Sequence, residues 1–149
     1  MVDGDAAAQG DVYLTEEQIV ALEAGLGSSS QETVLGSLQQ LHRSLTDTSE
    51  AVERFVIEGS CMAHLQRLLT SSSGNVLLQA IWCTANIAAN RTELCQKALV
   101  TAPILIAMLG GADPVRDLLV TMCQRGVVLC FTLVCYMCIT DCKFLLLFK

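Results

Sequence analysis

Apolar residues recur every three or four positions through most of this chain, the spacing that places them on one face of an α-helix. The first stripe follows Thr15-Glu16-Glu17-Gln18, which has the form of a capping box, and it ends near residue 26 at glycines and a run of serines. Later stripes predict helices over residues 31 to 45, 51 to 59, 62 to 69, 76 to 89, 93 to 100 and 103 to 109. These stripes are rich in Leu and Ala, so they predict an all-α fold with little or no sheet.

The order of these predicted helices repeats after about 40 residues. Residues 93 to 100 resemble residues 50 to 57, at the third predicted helix, and residues 103 to 109 resemble residues 63 to 69 of the fourth. A helix triplet that recurs at this length is typical of armadillo and HEAT solenoids. The sequence therefore predicts a right-handed helical solenoid of about two and a half armadillo-type repeats over residues 14 to 124.

Charge is distributed unevenly along the 149 residues, a length that fits one domain. Residues 1 to 59 hold eleven acidic and two basic side chains, a net charge of −9, whereas residues 60 to 149 hold four acidic and seven basic ones, a net of +3. Residues 1 to 13 are small and acidic and are expected to be disordered. The acidic front half argues against nucleic acid as a partner and permits a basic protein ligand, with a merely solubilising acidic face as the alternative.

The C-terminal segment, residues 125 to 149, is apolar and rich in cysteine. Its fifteen uncharged residues from 126 to 140 fall short of the ~20 that a spanning helix needs, and Asp141 and Lys143 interrupt the apolar run. Three interpretations stay open: an alternative or truncated end of a longer repeat protein, a membrane anchor over 126 to 148, and a buried capping helix. Its four cysteines at C-x4-C-x2-C-x3-C spacing are better explained as apolar filler or palmitoylation sites than as metal ligands.

Little in the sequence indicates an enzyme. His42 and His64 lie in helix patterns without a Cys, Ser or carboxylate at a useful spacing, so each is expected on a helix surface or as a satisfied core residue. Cys61, Cys83 and Cys95 stand singly among apolar residues, where cysteine acts as a small hydrophobe in a reducing, intracellular setting. We expect no catalytic residue, no cofactor and no metal.

The segment LLQAIWCTANIAAN, residues 77 to 90, holds the chain's only Trp. At helical spacing Trp82, Asn86 and Asn90 form one strip, whereas Leu78, Ile81, Ala85 and Ala88 form an apolar strip that is expected in the core. An indole face attracts a cation, and one side-chain amide can both donate to and accept from a peptide unit.

Residues 56 to 93, and within them Trp82-Cys83-Thr84-Ala85-Asn86, resemble an early armadillo repeat of importin-alpha, whose third helix carries a Trp-x-x-x-Asn motif. The resemblance implies a groove in which Trp82 walls a pocket for the aliphatic part of a Lys or Arg side chain and Asn86 holds the peptide backbone, with acids such as Glu93 nearby. It implies a non-enzymatic adaptor for nuclear import in the cytoplasm and nucleus. Its partners would be basic, nuclear-localisation-like segments of cargo proteins and other armadillo or carrier proteins.

The sequence also departs from that family. The positions equivalent to Trp82 and Asn86 are about Leu38 and His42 in the preceding repeat, and in the following repeat neither partner is present. Residues 1 to 42 contain no Lys or Arg, so the basic carrier-docking segment is missing. The second hypothesis is therefore a membrane-tethered or truncated armadillo scaffold without peptide-binding activity, in which Trp82 is core.

Overall fold

The computed structural model describes residues 13 to 110, and every regular element in that range is helical. The elements are α1 (Glu16–Leu26), α2 (Gln31–Ser44), α3 (Glu50–Ile57), α4 (Cys61–Leu68), α5 (Gly74–Ala88), α6 (Thr92–Ala98), a 3₁₀ turn (Leu99–Thr101) and α7 (Ala102–Gly110). The all-α prediction is confirmed for these residues. None of these helices is long and apolar enough to cross a bilayer. The predicted disordered N-terminus, the end of the third repeat and the apolar tail fall almost entirely outside the described residues.

Local side-chain bonds explain where the first helices begin. The Thr15 hydroxyl accepts the Gln18 amide N–H, and Gln18 Oε1 accepts the Thr15 N–H at 2.9 Å, which confirms the predicted capping box. The Ser30 hydroxyl accepts the Thr33 N–H at the start of α2, and the Ser49 hydroxyl accepts the Val52 N–H at the start of α3. The serine run that ends the first apolar stripe therefore also starts the second helix.

Among the described residues, two pairs of helices that lie three places apart along the chain pack on one another, and the consecutive helices α1 and α2, and α5 and α6, also pack together. The most extensive contact joins α2 to α5, α3 packs on α6, and α4 packs on the 3₁₀ turn that leads into α7. The end of α1 is tied to α4, because Arg67 Nη2 donates to the Leu26 carbonyl oxygen at 2.5 Å. The pairs α2–α5 and α3–α6 are thus direct neighbours in space.

Helix α5 is the most deeply buried element of the described residues. It begins at Gly74, two residues before the predicted start, and its buried face is wider than the predicted strip. Leu78 is only partly buried, whereas Ile81, Ala85 and Ala88 are buried as predicted. The further buried residues of this helix are Val76, Leu77, Ala80, Cys83, Thr84 and Ile87. What remains accessible on α5 is largely one polar strip.

Candidate functional site

The accessible strip of α5 runs through Gln79, Trp82 and Asn86, each of which is partly exposed. These residues follow one another at intervals of three and four, so one face of the helix carries all of them. The same face borders α2, the helix on which α5 packs most extensively. The candidate site is this α2–α5 strip: Gln79, Trp82 and Asn86 with the residues of α2 and of the α5–α6 turn that contact them.

Trp82 is partly buried against the core and is covered on one side by His42 of α2. The two rings are stacked, with centroids 5.9 Å apart and planes inclined by 15°. His42 Nδ1 lies 3.4 Å from Gln79 Oε1, the distance of a long hydrogen bond in which the imidazole donates. The Trp82 side chain is thus neither fully buried in the core nor fully accessible to a ligand.

Asn86 lines a shallow pocket of about 480 Å³ at the C-terminal ends of α2 and α5. The other lining residues are Leu45, Thr46, Ala89, Asn90 and Arg91. The Asn90 side-chain amide already makes hydrogen bonds within the protein, because Nδ2 donates to the Thr48 hydroxyl and Oδ1 accepts the Arg91 N–H. The Asn86 amide has no hydrogen-bond partner among the described residues, which leaves its donor and acceptor available to a ligand.

Among the described residues, the one charged residue that lines this pocket, Arg91, is already paired with an acidic side chain. Its guanidinium pairs with the carboxylate of Glu53 on α3. Glu93, the predicted acidic neighbour, lies exposed in the first turn of α6 and is not among the residues that line the pocket. No acidic side chain is among the described residues that line the pocket, so the pocket offers no carboxylate to a ligand cation.

The buried side of α5 carries a thiol that contacts α2. Cys83 Sγ donates to the Leu38 carbonyl oxygen at 3.4 Å, and both residues are fully buried. Burial raises the pKa of Cys61 to about 12. Burial, followed by the nearby Cys61, also raises the pKa of Cys83. Because the thiolate is the reactive form, neither cysteine is a nucleophile at neutral pH, and both serve as packing groups as predicted.

The structure brings Trp82 and Asn86 onto one accessible strip, as the sequence predicts, and adds residues that the sequence analysis did not assign. Leu38, the predicted equivalent of Trp82 in the preceding repeat, is fully buried, so its side chain offers no second contact surface to a ligand. His42, the predicted equivalent of Asn86 in that repeat, stacks on Trp82 instead.

In the described part of the chain no three His, Cys, Asp or Glu side chains are grouped in a way that could hold a metal ion, and the cysteine cluster of the tail falls outside it.

Comparisons with protein-family models, curated protein sequences and solved structures show no significant match to this chain.

Proposed function

We propose that this protein is a non-enzymatic adaptor that binds an extended basic peptide along the α2–α5 strip, in the manner of importin-alpha. Trp82 contacts the aliphatic part of a ligand Lys, and Asn86 bonds the ligand backbone. The observation that carries the proposal is the pairing on one accessible helix face of a partly exposed indole with an amide that has no partner among the described residues. By the resemblance, the cargo is a nuclear-localisation-like segment and the role is protein import into the nucleus.

The order of helix packing supports an armadillo-type solenoid as the frame of this site. In a solenoid each element packs on its counterpart in the next repeat. The contacts of α2 with α5, of α3 with α6 and of α4 with the turn before α7 follow that rule. On this assignment α2 and α5 are the third helices of successive repeats, which would line the concave groove.

The energies expected of one such pocket are small. A Lys ammonium near an indole face contributes roughly 0.5–2 kcal/mol, and a side-chain amide bond to the ligand backbone contributes about 1 kcal/mol. These contributions must offset the freedom that the peptide loses on binding, so the affinity of this pocket alone is on the order of millimolar. The formal net charge of −6 favours a cationic peptide, and salt would weaken the attraction.

The alternative is an armadillo scaffold without peptide-binding activity. It is favoured by the His42–Trp82 stack, because a ring of the same chain already covers one face of the indole. In that case the strip contributes to packing between α2 and α5, and the partner of the protein lies elsewhere on its surface.

Titration of the full chain with a Lys-rich peptide distinguishes the two functions. We expect Asn86→Ala to weaken binding of the basic peptide several-fold without changing the helical content measured by circular dichroism. Gln96→Ala is the matched control, because Gln96 is an exposed amide side chain on α6. Equal binding by the wild type and Asn86→Ala would remove the strip from the function and leave the scaffold.

A further inference from the structure

His42 fills the space beside the indole that a ligand would use. Its imidazole centroid lies 5.9 Å from that of Trp82, in nearly parallel orientation. A ligand cation needs a position within ~6 Å of the indole centroid and over its face to gain cation–π attraction. On the side that faces α2, the protein's own imidazole, which stacks with a lateral offset, takes up part of this position.

Two further contacts hold the arrangement in place. Gln79, one turn before Trp82 on α5, positions the imidazole through its Oε1 atom, 3.4 Å from Nδ1. The indole itself packs in part against the core. The surface of Trp82 that remains accessible is therefore limited, and it lies on the strip that continues to Asn86.

Lys and Arg make different demands on such a surface. The Arg guanidinium is planar and gains most when it stacks on an aromatic face, whereas Lys carries a compact charge on a slender alkyl chain. A partly covered indole face leaves less room for a stacked guanidinium than for an alkyl chain and a point charge. The restricted surface therefore disfavours Arg more than Lys.

We propose that His42 is the specificity-determining residue of this strip: by covering the α2 side of Trp82 it makes the subsite accept a Lys side chain of an extended peptide in preference to an Arg. This inference rests on the proposed peptide-binding function. Replacement of His42 by a smaller residue opens the covered face, and binding of Arg peptides then increases more than binding of Lys peptides.

Two peptides of the same sequence, one with Lys and one with Arg at every basic position, test this preference with the full chain. We expect the wild type to bind the Lys peptide several-fold more tightly, and His42→Ala to bind both peptides more tightly with the preference lost or reversed. His42→Gln, which removes the ring but keeps a polar side chain near Gln79, should change the preference in the same direction. His64→Ala, at the other partly buried histidine, should behave as the wild type.

Trp82 is the only Trp of the chain, so its fluorescence reports on the stack without any peptide. We expect its emission to move to longer wavelength in His42→Ala and His42→Gln and to stay unchanged in His64→Ala. If the wild type binds and Asn86→Ala weakens binding, but the Lys-to-Arg ratio is the same in both His42 variants, the role of His42 is refuted and the peptide-binding function stands. If neither peptide binds the wild type or any variant, the role of His42 and the peptide-binding function are both refuted. Binding by the His42 variants alone would show that His42 blocks the subsite for both peptides, which would overturn its role in selecting Lys over Arg.

Discussion

Gly25 of α1 lies directly against Ser37 of α2. A Cβ atom added to Gly25 would stand 2.0 Å from Ser37 Oγ and 3.2 Å from Ser37 Cβ. The Ser37 hydroxyl is also engaged, because it donates to the Thr33 carbonyl oxygen at 2.9 Å. The absence of a side chain at residue 25 therefore permits the close crossing of α1 and α2.

Substitution of this glycine should destabilise the fold although alanine is the better helix former. We expect Gly25→Ala to lower the free energy of unfolding by roughly 1 kcal/mol, because Ser37 Oγ can move aside only by giving up its bond to Thr33 and Ser37 Cβ stays in close contact. Gly36→Ala is the matched control in α2, because no atom lies within 4 Å of a Cβ added there. Its expected effect is a gain of roughly 0.5–1 kcal/mol from helix propensity. Denaturant titration measures both, and stabilisation by both substitutions would contradict the close crossing.

Leu38 provides a second test of the fold, because the sequence analysis aligned it with Trp82. Its side chain is fully buried between the helices. We expect Leu38→Ala to cost roughly 2–5 kcal/mol of stability, as truncation of a core leucine does. Val20→Ala, at a residue that is 66% exposed, should change the stability by less than about 0.5 kcal/mol. Similar effects of the two substitutions would place Leu38 at the surface.

The buried thiols predict a dependence of stability on pH. In the unfolded chain a Cys thiol titrates near its ordinary pKa of 9.0, whereas burial raises the pKa of Cys61 to about 12. The unfolded chain therefore loses its proton first, and the stabilisation that is fully present below pH 9.0 is lost as the pH rises towards about 12. Denaturation at several pH values in this window should show a shallower decline for Cys61→Ala than for the wild type. Parallel declines would show that Cys61 is accessible in the folded protein.

The beginnings of the helices were largely predictable, because their signals are local. The capping box at Thr15 depends on residues three apart, and the structure contains it. The start of α5 was missed, because Gly74 and Asn75 have the composition of a turn and the helix extends through them to bury Val76 and Leu77. That gain depends on neighbouring helices and has no local signal.

In the candidate site, too, the features that depend on local spacing were predictable, and the contacts between distant helices were not. Trp82 and Asn86 share a face because residues four apart do so in any α-helix. The contact of His42 with Trp82 joins α2 and α5, which are separated by two helices in the sequence, so spacing within one helix could not reveal it. Arg91 follows α5 at its end, yet its position beside Asn86 depends on how the turn into α6 folds back.

The most direct test of peptide binding is nuclear magnetic resonance on the full chain, because a single Trp gives a single indole N–H signal. Addition of a Lys-rich extended peptide should shift the Trp82 indole N–H and the Asn86 side-chain amide together, with saturation in the millimolar range expected of one pocket. An acidic peptide of the same length should shift neither signal. A basic peptide that shifts signals of other residues while those of Trp82 and Asn86 stay fixed would contradict the proposal that this strip binds peptides.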